Sequence, residues 1–140
     1  MTFATKTLMI LPTELRSIAR ARLRDAETLL GAGRYDGSVY LCGYSIEIAL
    51  KARVCRTLKS HGFPSTNKEF ERYHSFRTHD LDVLLHLSGA EVKIKQPRYL
   101  TAWSIVAMWE PGARYRPAGT ATSSDASNMI NSATILLSVL

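Results

Sequence analysis

Cysteine is nearly missing from this 140-residue chain, which holds only Cys42 and Cys55. Both fall in one stretch of helical periodicity, where thirteen residues of helix would hold them about 20 Å apart, beyond disulfide reach. With no CxxC pair or other metal-ligand spacing, they read as reduced, buried, small apolar residues. A cytoplasmic setting is the expectation. Long hydrophobic runs are missing too. Residues 8–11 are too few for a signal-peptide core. The most apolar stretch, residues 37–50, contains Glu47 and is followed at once by Lys51 and Arg53. A membrane span needs about 20 nearly uncharged residues, so no membrane role is expected. Also missing are a glycine-rich phosphate loop, a GxSxG elbow and the paired carboxylates of a metal-dependent nuclease. There is no internal repeat, and apart from a brief extended stretch at Val92–Lys95 no strand alternation.

What is present is an ordinary globular composition: 46% hydrophobic and 21% charged residues. It suits one domain over residues 1–140, with residues 1–11 as a loose N-terminal arm. The net charge is +6, with a pI near 9.6, which favours anionic partners such as nucleotide, RNA or an acidic protein.

Helical periodicity runs through nearly all of it. Thr13 is a candidate cap for a first helix whose apolar residues are Leu15, Ile18, Ala19, Leu23, Ala26, Leu29 and Leu30. Arg16, Arg20 and Arg24 form its solvated outer face, and Gly31-Ala32-Gly33 stops it. Asp36 is a candidate cap for a longer second helix reaching about Ser60. Its apolar residues almost encircle the axis, as in a helix at the centre of a bundle or shared with a second subunit. Residues 61–78 are long for a connection and interleave aromatic with basic residues. His79-Asp80-Leu81 opens a third helix that closes near Gly89. Pro97 opens a fourth, ended by Pro111-Gly112, and Ser123 or Ser124 caps the last. The fold class is all-α, an up-and-down bundle of four to five helices.

Glu47 lies among apolar residues on the stripe Tyr40, Tyr44, Glu47, Lys51. A buried carboxylate needs a partner or a polar cleft. Lys51, four residues on, has the favoured order for an ion pair. Two readings stand side by side: a local pair that orients the helix, or one wall of a ligand cleft. His61, His74, His79 and His86 lack the convergent spacing of a metal site. His79, before Asp80-Leu81, reads as a helix-start residue that packs and hydrogen-bonds, with proton transfer by its imidazole as the alternative. Arg114, Tyr115 and Arg116 form a loop suited to clamping a phosphate between guanidinium forks and an aromatic face, or a solvated basic loop.

These blocks resemble a known family. Arg24-Asp25-Ala26-Glu27, the turn Gly33-Arg34-Tyr35-Asp36-Gly37, the run Tyr40–Ala52, His79-Asp80-Leu81 with Leu84-Leu85, and Trp109 followed by Arg114-Tyr115 are similar to HEPN domains, the nucleotide-binding domains shared by higher eukaryotes and prokaryotes. The resemblance implies a helical bundle that forms a homodimer and takes no cofactor or metal. It implies one of two branches. One binds nucleotide or substrate beside a minimal nucleotidyltransferase partner. The other is a metal-independent ribonuclease, often a toxin paired with an antitoxin protein, that uses an Arg and a His with four to six residues between them. Arg72 and His79 meet that spacing. However, Tyr73 stands where the nuclease motif favours a small polar residue, and no Arg-to-His pair follows Trp109. The binding branch therefore comes first, with Glu47, Lys51, His79, Arg114 and Tyr115 as ligand-binding residues converging on one polar cleft. The ribonuclease comes second, and a dimerisation or scaffold module without ligand third.

Overall fold

The chain is described by a computed structural model at residues 9–58, 63–64 and 78–140; His61, Arg72, Tyr73 and His74 lie outside the described residues. The expected loose arm ends in an attached segment. β1 (Met9–Ile10) pairs antiparallel with β2 (Phe63–Pro64), Met9 opposite Pro64 and Ile10 opposite Phe63. Ile10 then packs against a small cluster of Leu15, Ala52 and Cys55.

Six α-helices follow among the described residues. They are α1 (Pro12–Gly31), α2 (Tyr35–Thr57), α3 (Leu81–Ser88), the single turn α4 (Glu91–Ile94), α5 (Pro97–Val106) and α6 (Ser123–Leu137). This is the all-α bundle expected from the periodicity, with α2 at its centre against α1, α3 and α6. The apolar ring around α2 explains the placement: Cys42, Ile46, Ala49, Leu50, Ala52, Val54 and Cys55 are all buried, on several sides of one helix.

The helix ends correct several expectations. Pro12, with no N–H to lose, opens α1 at its first position after Leu11, so Thr13 is inside the helix and not its cap. Gly33, at φ +75, closes α1 as expected, with Gly33 N–H to Leu30 O (3.1 Å) and Arg34 N–H to Leu29 O (2.8 Å). Asp36 does not cap α2, which starts a residue earlier behind Arg34; it serves a distant loop instead. α2 ends at Thr57, short of Ser60. Residues 91–94 coil into a helical turn where a brief strand was expected. α5 ends at Val106, before Pro111, which instead opens a 3-10 turn, Pro111–Tyr115. The cap of α6 is Thr122, not Ser123 or Ser124. Its hydroxyl accepts from Asp125 N–H (3.1 Å) while the Asp125 carboxylate accepts from Thr122 N–H (2.9 Å). No helix among the described residues is long and apolar enough to cross a membrane.

Candidate functional site

The second helix delivers four polar or aromatic side chains to one face because positions 40, 44, 47 and 51 repeat at three- and four-residue intervals. Glu47 is 2% exposed. Its carboxylate is satisfied from two elements at once. Lys51 Nζ donates to Oε2 at 3.1 Å from the next turn, and His79 Nδ1 bonds Oε1 at 2.8 Å from the start of α3. A carboxylate this deep is tolerated because each oxygen meets a charged or polar donor. His79 is held in place by its neighbour, since the Asp80 carboxylate caps α3 by accepting from the Asp82 and Val83 amides. The imidazole itself stays 58% exposed. Glu47 thus fixes one ring nitrogen and leaves the other edge toward solvent.

Above this acid, α2 carries Gly43. A Cβ there would sit 2.2 Å from the Trp109 indole, so glycine is the residue that lets the ring lie against the helix backbone. Trp109 is 7% exposed and meets Tyr44 edge-on with centroids 4.9 Å apart; Tyr44 in turn meets Tyr40 at 5.1 Å. The two tyrosine hydroxyls share a hydrogen bond of 3.4 Å. That bond lowers the Tyr40 pKa, helped by the neighbouring Arg114, and together with burial pushes Tyr44 up to about 12. Arg114, in the 3-10 turn, lies near enough to Tyr40 for its charge to favour the phenolate, and its guanidinium is 4.8 Å over the Tyr115 ring. Tyr115 is 79% exposed.

The expected convergence therefore divides into two groups. Glu47, Lys51 and His79 meet directly. Arg114 does not reach Glu47; Tyr40 and Tyr44 lie between them, and Tyr115 turns outward. Arg72 falls outside the described residues. Beside His79 a cleft of about 380 Å³ is lined by Asp80, Asp82, Trp109, Glu110 and Pro111. Its acids are partly engaged: Asp82 accepts from Trp103 Nε1 at 3.3 Å, and Glu110 lies 3.7 Å from Arg116. The sequence reading missed this acidic rim, and it missed the contact between Gly43 and Trp109. A glycine in the middle of a helix, where it costs about 1 kcal/mol, was the available signal for the second. Among the described residues no three His, Cys, Asp or Glu side chains gather as a metal site.

Searches of curated proteins and of solved structures returned no significant match. A family model does match, and it spans α1, all of α2 and the Gly43–Ala52 block that carries the site. Residues 13–68, about two-fifths of the chain, match the HEPN domain, the family that the sequence blocks resemble.

Proposed function

We propose that the chain is a HEPN-like nucleotide- or substrate-binding module, acting beside a minimal nucleotidyltransferase partner or within a toxin–antitoxin pair. The observation that supports it is the buried Glu47 carboxylate engaged by both Lys51 and the half-exposed His79 at the edge of a cleft. In this reading Lys51, His79 and Arg114 offer cations to phosphates, with Tyr115 as an aromatic face. The acid-rimmed cleft offers acceptors to ribose hydroxyls or a base amine. Titration calorimetry with ATP, AMP and GTP tests it. We expect at least one to bind, and Glu47→Gln to weaken it about tenfold while the helical circular dichroism is unchanged. No binding by any of them removes the reading.

Metal-independent ribonuclease is the second reading, favoured by one feature. Glu47 holds His79 Nδ1 at 2.8 Å, which leaves the other ring nitrogen to exchange a proton. Cleavage of a structured RNA without metal, lost in both His79→Ala and Arg72→Ala, would put it first. The third reading is a homodimeric scaffold, supported by the apolar circumference of α2 and by exposed Ile135 on α6. Solution scattering of a stable monomer would remove it.

A further inference from the structure

The α1–α2 hairpin gathers four arginines at the end where α1 begins and α2 finishes. Arg16 and Arg20 stand one turn apart on α1; Arg53 and Arg56 lie in the last turns of α2. They are close enough to repel. Burial, then Arg56 and Arg16, push the Arg53 guanidinium below its ordinary pKa. No Asp or Glu side chain lies within 4.0 Å of any of the four among the described residues. Arg53 is nonetheless fixed in direction, donating to the main-chain oxygens of Leu140 (3.1 Å) and Val139 (3.4 Å). Between Arg16 and Arg20 is a shallow hollow of about 30 Å³ lined by Ala19, Ala49, Leu137 and Leu140. Arg56 is nine residues from Glu47, two and a half helical turns, so this platform faces away from the Glu47 cleft.

Four guanidinium groups on one small surface, with no Asp or Glu partner among the described residues, call for anions. A nucleic-acid strand would supply phosphates, but its bases gain affinity by stacking. None of the residues lining this hollow is aromatic, and it is too small for a base. An acidic peptide uses both parts: carboxylates pair with the guanidinium forks, and one aliphatic tip fills the hollow. We propose that Arg16, Arg20, Arg53 and Arg56 form a docking surface for an acidic segment of a partner protein, anchored by one aliphatic side chain between Arg16 and Arg20.

The probe is a fluorescein-labelled peptide of three Glu-Glu-Leu-Glu repeats, followed by anisotropy with the full chain. Binding should saturate and weaken about tenfold as salt rises from about 50 to about 300 mM. Arg20→Glu and Arg56→Glu should each weaken it about tenfold, while Arg98→Glu, an equal charge change on α5, changes it less than about twofold. If Arg20→Glu loses helical signal, Arg20→Gln replaces it, with a loss of about threefold expected. A peptide with Ser in place of Leu should bind about fivefold more weakly. Glu47→Gln should leave peptide binding unchanged, which separates this surface from the nucleotide cleft. Equal losses in Arg98→Glu and Arg20→Glu would overturn the proposal. So would equal binding of the Ser peptide, or tighter binding of a twelve-residue uridine oligonucleotide lost in the same variants.

Discussion

Two sides of α2 are buried for different reasons. Toward α1 the side chains are small. Ser38 donates to Ala26 O at 2.7 Å, Cys42 is fully buried, and Ala49, Ala52 and Cys55 lie against Ala19 and Leu15. Burial pushes the Cys42 thiol up to about 12 and Cys55 to about 11, so both behave as small apolar groups. On the opposite side the helix presents Tyr40, Gly43, Tyr44, Glu47 and Lys51, and what covers them comes from far along the chain: Trp109, His79 and Arg114. The first side is held by close packing, which is local and shape-driven. The second combines one packed ring, Trp109, with the polar partners His79 and Arg114, which can be removed without hollowing the core.

That contrast can be broken by substitution. The largest effect should come from the packed interior. Leu50 has no exposed surface, and Leu50→Ala should cost about 3 kcal/mol in urea denaturation by leaving a cavity, while the affinity of whatever the Glu47 cleft binds stays within about twofold. Gly43→Ala comes next. Alanine gains about 1 kcal/mol of helix propensity, but its Cβ must displace the Trp109 ring, an overpacking cost of about 3 kcal/mol. The net loss should be about 2 kcal/mol, with a red-shifted tryptophan emission. An unshifted spectrum and a gain in stability would mean that Trp109 does not lie on Gly43.

Glu47→Gln should do the reverse of Leu50→Ala. The amide keeps the shape and can still accept from Lys51 or His79, so the stability loss should be about 1 kcal/mol. If instead it destabilises as much as Leu50→Ala, Glu47 is chiefly a structural ion pair and the two sides of α2 are alike.

The same contrast governs what could be read from the sequence. The helices, the central place of α2, the Gly33 stop and the Asp80 start were legible, because periodicity and capping are local. So was the need of Glu47 for compensation, since a carboxylate in an apolar stripe announces its cost. Its second partner, His79, is 32 residues away, and only the family pattern marked it. The separation of Arg114 from Glu47 is not legible in the stripe, because it depends on how the Tyr40 and Tyr44 rings meet edge to face and on where a turn far along the chain comes to lie. Thr122 was passed over for the adjacent serines. Three hydroxyl residues in a row are equivalent caps by type, and the choice falls to the one with Asp125 three positions on.

Asp36 gives the smallest effect and the sharpest test of how the outer loop is held. It looked like a cap for α2, but its two carboxylate oxygens accept from Gly119 N–H at 2.6 Å and Ala121 N–H at 2.7 Å, tying the start of α2 to the loop between Arg114 and α6. Gly119 adopts φ +84 there. The amides of Ala121 and Gly119, then Arg34, hold the Asp36 carboxyl below its ordinary value of 3.8. A depressed folded-state pKa means that the unfolded chain takes up its proton first. The tie is therefore fully present above about pH 4 and is lost as pH falls through the lower, folded-state value. Amide exchange by NMR should show Gly119 and Ala121 protected near neutral pH and progressively exposed in acid. Asp36→Asn should remove that pH dependence and leave one of the two amides fast-exchanging at every pH, because a neutral amide has one oxygen where the carboxylate has two. α2 should be unaffected, since its first turn does not depend on this side chain. Unchanged protection of both amides in Asp36→Asn would show that the loop is held by its own packing and not from α2.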